Sequence, residues 1–484
     1  MSENTKNITL KGLFWNALDR FGNQAIVTIV LIITGRILLP EDFGIVGMLA
    51  IFSVIATSFV DSGLATSLVR TKVVDEKDYS SMFVFNLAIS SILYLILFFA
   101  APYIEAYNGV PGLALYARVL FLQIIVHSFG IVQYVKILKN FQFNITARIN
   151  LLSIFFSSII VITLALLGFG VWALILQPLL YTVFRTVMLW IWGDWKLNLT
   201  YSTASLKTHF SFSLSYMVSN MIGKILSPFY SSFIGKHFGT MEAGYYYNGN
   251  KWGETPGQMI TAIIQGTTLS TLTPIQDDLP RFLNACRKSM SSLAFILVPV
   301  SFLAICVAKP AFVVVLTEKW LPSVVLFQLL CFAGLFTSFT DLNANFLSIK
   351  GRSKYFLSLE IIKISLAFII LFFTYKQGLV AIASGLIIVR IICYIIASIM
   401  SAKVYGYNLL LQTKDLAPSF IISAIAASVA YLPLYFNLIS QYTLLVIIQS
   451  LIFVIIYIGA NHLLKNEIWL EVLGLIKKKL IKKH

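Results

Sequence analysis

Apolar stretches of roughly 18 residues or more follow one another along this 484-residue chain from end to end, separated by short polar turns. An α-helix rises 1.5 Å per residue and the hydrocarbon of a bilayer is about 30 Å thick, so each stretch can cross a membrane as a helix. Composition matters here for one reason, the supply of charge. Only 12% of the residues are charged and 58% are hydrophobic, whereas ordinary soluble domains carry about 25% charged residues. Such a chain cannot coat a soluble surface, so all of it reads as membrane domain: all-α and polytopic.

Fourteen spans are expected, at about 12–38, 42–69, 79–102, 112–135, 146–167, 169–192, 209–235, 242–272, 282–307, 322–348, 355–375, 378–402, 417–436 and 441–464. The loops on the N-terminal side carry Arg70, Lys72, Lys136, Lys139, Arg281, Arg287, Lys288, Lys350, Arg352 and Lys354 among others. The opposite loops carry little beyond Arg36, Lys236, Lys309, Lys319 and Lys376. This roughly threefold bias orients both termini to the cytoplasm. The net charge of +16 is thereby a matter of short loops, and no nucleic-acid partner is expected. The polar first ten residues and the full length of the first span argue against a cleavable signal peptide.

Cys286, Cys306, Cys331 and Cys393 lie in or beside apolar stretches with no CxxC spacing and no neighbouring His, so neither a metal site nor a disulfide is expected. Enzymatic chemistry finds no Walker A loop, no GxSxG and no HExxH, and Asp277-Asp278 reads as a solvated turn. A transporter is expected, with no cofactor and no catalytic residue.

An internal repeat organises the chain. Gly35-Arg36 and Gly44 recur as Gly235-Lys236 and Gly244 with the same nine-residue spacing, Lys139-Asn140-Phe141 precedes the fifth span as Lys350-Gly351-Arg352 precedes the eleventh, and Gly170-Val171-Trp172-Ala173 matches Gly378-Leu379-Val380-Ala381. Six spans separate the copies, so the halves enter the membrane in the same direction and form a parallel repeat, as in alternating-access carriers. The expected division is a six-helix lobe over 1–195, a second over 196–405, two further spans over 406–464, and a basic amphipathic tail over 465–484 lying on the lipid of the inner leaflet.

Charge inside the spans singles out candidate functional residues, because each costs at least about 2.5–3.5 kcal/mol at the bilayer centre. Residue counting puts Lys224, Lys251, Glu254 and Arg390 near mid-membrane, with Pro256 loosening the turn after Glu254. Arg185 falls near the position of Arg390 in the other half, and Arg118 lies in the outer third of its span. Asp19-Arg20, Asp61, His127, Asp341 and the Glu360/Lys363 pair lie nearer the cytoplasmic side. Lys224, Lys251, Arg390, Arg185 and Arg118 are candidates for binding an anionic substrate; Glu254, Asp61, Asp341, Asp19 and Glu360 are candidates for coupling to H+ or Na+. The competing reading is that these charges pair to lock helices together, or snorkel to the interface. Tyr245, Tyr246, Tyr247, Asn248, Asn250, Asn343 and Asn345 are candidate sugar partners, with an interfacial aromatic belt as the alternative for the tyrosines.

Four segments carry a family resemblance: Pro40-Glu41-Asp42-Phe43-Gly44; Asp61-Ser62-Gly63-Leu64-Ala65 followed by Leu68-Val69-Arg70; Thr273-Pro274-Ile275-Gln276-Asp277-Asp278; and Glu318-Lys319-Trp320 leading into Leu329-Leu330-Cys331. With them the chain resembles the bacterial polysaccharide flippases, of the Wzx lipopolysaccharide or colanic-acid type, in the multidrug/oligosaccharidyl-lipid/polysaccharide exporter superfamily. The resemblance implies two six-helix lobes plus two C-terminal helices. It also implies transfer of undecaprenyl-pyrophosphate-linked oligosaccharide, such as an O-antigen repeat unit, across the inner membrane, with a polymerase and a chain-length regulator as partner proteins. Another cargo within the superfamily, a peptidoglycan precursor or a cationic drug, stays open, as does a membrane-embedded glycosyl ligase or polymerase.

Overall fold

The structure is a computed structural model that describes residues 3–61, 64–71, 74–197, 199–352 and 354–481, without the side chains of 3–11, 13, 61, 64, 66, 70, 204, 205, 208–220, 270 and 475–481. The described chain is a succession of α-helices: α1 (Glu3–Ile37), α2 (Pro40–Asp61), α3 (Leu64–Arg70), α4 (Glu76–Asn108), α5 (Leu113–Lys139), α6 (Phe143–Leu166), α7 (Val171–Trp192) and α8 (Thr203–Phe238). There follow α9 (Thr240–Leu272), α10 (Leu279–Leu316), α11 (Leu321–Ile349), α12 (Lys354–Thr374), α13 (Leu379–Tyr405), α14 (Leu409–Tyr435), α15 (Tyr442–Leu463) and α16 (Glu467–Ile481).

Helix ends are fixed by local polar chemistry. The Asp75 N–H donates to Asp78 Oδ2 at 3.0 Å ahead of α4, and Asn408 Oδ1 accepts the Leu411 N–H at 2.9 Å at the start of α14. Asp278 of the acidic turn caps α10 by accepting the Arg281 N–H at 3.2 Å. Each carboxylate or amide satisfies an N–H that has no partner inside its helix.

Among the described residues, 12 helices are long and apolar enough to cross a membrane, and the protein is a multi-pass membrane protein. Helices α8 and α9, of 36 and 33 residues, have the length as well. Helix α9 carries Glu242, Lys251 and Glu254, and with these two helices the number reaches the fourteen expected. The second expected span stops at Asp61; the rest of that segment is the short α3.

Two compact units divide between Tyr247 and Asn248, inside α9. The reason lies in α8, which packs on α2, α3 and α4 of the first unit. Within that unit α4 pairs with α5, α5 with α7, α6 with α7, and α1 with α6. Its apolar centre is built from Leu49, Val60, Phe121 and Ile124, on α2 and α5, with Ile175 of α7. Within the second unit α10 pairs with α11, α11 with α13, and α12 with α13, the same pairing order. Phe282, Met290, Leu297, Phe339, Phe346 and Tyr405 form its centre. Helices α14 and α15 pack on α10 and on each other, around Cys306, Ala426, Ala430 and Phe453. The tail helix α16 is tied back to α10 by Lys288 Nζ and Glu471 Oε1 at 2.6 Å.

Candidate functional site

Three glycines four residues apart decide which way α9 faces in the second unit. A Cβ on Gly249 would lie 3.1 Å from Phe327 N, one on Gly253 3.1 Å from Cys331 N, and one on Gly257 3.3 Å from Ser338 Oγ, all on α11. Small residues at this spacing let two helix backbones approach closely in a membrane. With the glycine face against α11, Glu254 meets α13, where Arg390 Nη2 donates to Glu254 Oε1. The two side chains are 13% and 17% exposed, so neither is hydrated as a free ion would be. Gln258, one turn along α9, donates to Glu254 Oε2 at 3.4 Å.

A second pair lies on α12, where Lys363 Nζ stands 2.5 Å from Glu360 Oε2 one turn away. Asp341 of α11 is within electrostatic reach of all four of these groups. Glu254, Asp341 and Glu360 against Lys363 and Arg390 make three negative and two positive charges, a balance of −1. The Arg390 charge is matched by Glu254, and the residual charge of these five groups is acidic.

The first unit holds a second cluster. Asn150 of α6 bridges it, donating through Nδ2 to Asp19 Oδ2 of α1 at 2.9 Å and accepting from Arg185 Nε of α7 at 3.1 Å. The Arg185 guanidinium lies 4.6 Å from the ring centre of Tyr134 on α5, a cation–π contact. Two residues assigned to different roles, Arg185 to substrate and Asp19 to coupling, thus share one amide.

The remaining candidates are placed elsewhere. Lys224 is exposed on α8, and Lys251 is half-buried on α9, one turn before Glu254. Arg118 donates through Nε to Phe98 O at 3.3 Å and lies 4.3 Å from the Phe98 ring centre, so it joins α5 to α4. His127 is half-buried on α5. The side chain of Asp61 lies outside the described residues. Pro256 does not interrupt α9, which runs through it as one helix; the Thr255 hydroxyl donates to Lys251 O at 2.6 Å in the turn before it.

Asn343 is not free to bind sugar. Its amide donates to Phe339 O and Gln412 Oε1 at 3.1 and 3.0 Å, and its carbonyl accepts from Ser401 and Gln412 at 2.9 and 3.1 Å. Tyr246 is 1% exposed and stacks on Tyr230, an interior position and not an aromatic belt. Sequence reasoning missed Asn150, Gln412 and the α9 glycines. The glycines have a readable signal, their four-residue spacing in a span; a single Asn or Gln has none. Among the described residues no group of three His, Cys, Asp or Glu could hold a metal ion.

Comparisons with known proteins point one way. The family described as polysaccharide biosynthesis protein matches residues 33–325. The succinoglycan biosynthesis transport protein ExoT of Rhizobium meliloti (strain 1021) is 26% identical over 317 residues, 66% of this chain and 64% of that protein, so the chain spans just under two thirds of this relative's length. The lipopolysaccharide biosynthesis protein WzxC of Escherichia coli (strain K12) is 22% identical over 351 residues, 71% of this chain and 70% of the other. The fold is similar to that of the lipid II flippase MurJ in its inward closed conformation, with a TM-score of 0.73 at 15% identity, over 94% of this chain and 99% of that one. The resemblance carried by the turn motifs around Pro40, Asp61, Thr273 and Glu318 is borne out.

Proposed function

Because the chain belongs to the polysaccharide biosynthesis protein family, we propose that it is a transporter and not an enzyme. Its cargo is an undecaprenyl-pyrophosphate-linked oligosaccharide, moved from the cytoplasmic to the outer leaflet of a bacterial inner membrane by alternating access, with both termini in the cytoplasm. Relatives named for transport in succinoglycan biosynthesis and for lipopolysaccharide biosynthesis support this cargo class.

One observation carries the reading, the charge balance of −1 among Glu254, Asp341, Glu360, Lys363 and Arg390. Ion pairs that merely lock helices come out even. Here Glu254 is matched by Arg390 and Glu360 by Lys363, which leaves Asp341 over. An unmatched carboxylate inside a membrane costs about 2.5–3.5 kcal/mol or more unless a mobile cation neutralises it. Asp341 is accordingly the acceptor of the coupling ion, H+ or Na+.

The same balance moves the cargo site. A pyrophosphate with about two negative charges would be repelled by the acidic surplus, so it is held by Lys251 and not by Arg390. Once bound, its anionic head gains roughly 2.3 kcal/mol per charge per 100 mV from an inside-negative potential on moving outward. The acidic surplus equally suits antiport of a cationic drug, the second reading.

Vesicles containing the purified protein, loaded with a labelled lipid-linked oligosaccharide, test both. Exposure of the label to an outside glycosidase should exceed that in protein-free vesicles and should respond to an imposed proton or sodium gradient. Equal exposure with and without protein removes the flippase reading; gradient-driven efflux of a cationic dye in its place selects antiport.

A further inference from the structure

The outermost turns of α2 and α9 meet at equivalent residues of the repeat. A Cβ built on Gly44 would fall on Thr240 O, and a Cβ built on Gly244 would fall on Pro40 O. Residues 40 and 44 correspond to 240 and 244 in the repeat, so the contact is reciprocal: each glycine presents its backbone to the first carbonyl of the other helix. A carbonyl cannot move aside without unwinding the helix that holds it, and for this reason no side chain, not even a methyl group, fits at either position. The contact itself is two Cα–H groups facing two carbonyl oxygens, individually weak.

Neighbouring contacts follow the same plan. A Cβ on Gly47 would lie 3.3 Å from Tyr247 Cβ, and Gly235 of α8 receives the Met48 side chain of α2. Met48, at 1% exposure, is shut off from solvent by this crossing. The flexible Met48 can withdraw from Gly235 by rotating its own bonds. The crossing is therefore a direct approach of two helix backbones, held at Gly44 and Gly244.

We propose that the Gly44/Gly244 crossing is a backbone latch that closes the end of the protein carrying the α1–α2 and α8–α9 turns, and that it parts in every transport cycle. This rests on the alternating-access reading above, and it adds to that reading the residues that move. With the termini cytoplasmic, the latch faces outward.

Cross-linking gives the test. In Gly47→Cys/Tyr247→Cys the Cβ positions lie 3.3 Å apart, close to the roughly 3.5–4.5 Å span of a disulfide. Mild oxidation should remove both added thiols from reaction with a polyethylene-glycol maleimide, stop transport, and have both effects reversed by dithiothreitol. A cross-linked protein that still transports overturns the latch, and so does failure of the pair to cross-link. Accessibility supplies a readout that needs no cargo. Met48→Cys should react with a membrane-impermeant maleimide added outside roughly tenfold faster when Gly44→Ala is also present, because the methyl group wedges the crossing open. The native cysteines, Cys286, Cys306, Cys331 and Cys393, are all buried and give a low background. Unchanged reactivity of Met48→Cys overturns the latch whatever the cargo proves to be. Faster reactivity with no movement of lipid-linked oligosaccharide keeps the latch and rejects the cargo.

Discussion

Replacing Arg390 by Met removes one of the two cations that face Glu254, Asp341 and Glu360, and leaves three carboxylates against Lys363, a change from −1 to −2. At 17% exposure the stranded Glu254 has little water to turn to. Removing one partner of a buried pair costs about 3–5 kcal/mol, whereas replacing both by neutral groups of similar volume is close to neutral. Glu254→Gln in the Arg390→Met background should therefore recover most of the loss. For the unit Asn248–His484, an unfolding entropy of about 2.1 cal/mol/K per residue converts that loss into a Tm lower by about 6–10 °C for the single variant, and by less than about 3 °C for the double. The assay is built into the chain: all four cysteines are buried in this unit, so a thiol-reactive fluorophore reports its unfolding in detergent. A single variant that melts within about 2 °C of the parent, or a double variant whose loss is the sum of the two singles, would refute the idea that these side chains form a buried, mutually dependent pair.

Three further outcomes are expected. Asp341→Asn should abolish the response of transport to an ion gradient while leaving gradient-free exchange of cargo; retained gradient dependence would assign coupling elsewhere. Gly253→Leu should force α9 off α11, because even a Cβ there lies 3.1 Å from Cys331 N; overpacking typically costs about 1–3 kcal/mol, read as an earlier thermal release of the buried thiols. Tyr407, in the turn between α13 and α14, donates to Asp415 Oδ2 at 2.8 Å, and burial followed by the Asp415 charge pushes its hydroxyl above the ordinary value of 10.0. A raised folded pKa gives stability that is complete below the unfolded value and is lost as pH rises beyond it. Tyr407→Phe should accordingly flatten the alkaline fall of Tm above about pH 10, and an unchanged slope would remove Tyr407 from that limb.

Length and hydropathy made the helices legible because a bilayer demands them, and the turn glycines Gly170 and Gly378, both with positive φ and both opening a helix, marked the repeat as the sequence suggested. The site was legible one residue at a time and not as a constellation. Charges in apolar runs point to Glu254, Asp341, Glu360 and Arg390, yet nothing in the spacing of 254 and 390 tells that they pair, since that depends on which face of α9 the glycines press onto α11. Counting charges along the chain therefore left open whether Arg390 meets an anion or a carboxylate, and its partner is Glu254. Arg118 meets an aromatic ring and a carbonyl one helix away, contacts that no spacing in the sequence announces.

Asn343 deserves a last consequence. Two of its five hydrogen bonds are with Gln412 at the start of α14, with Ser401 and Tyr405 of α13 and Phe339 of its own helix supplying the others, and Arg287 of α10 grips Asp415 of α14 through two bonds of 2.9 and 2.7 Å. A polypeptide cut after residue 405 would keep both six-helix stretches of the repeat, yet would take away both Asn343–Gln412 bonds and the Asp415 carboxylate that Arg287 grips. The terminal hairpin is thus woven into the second unit as a keystone, and a minimal twelve-helix version of this molecule should misfold before its transport could be measured.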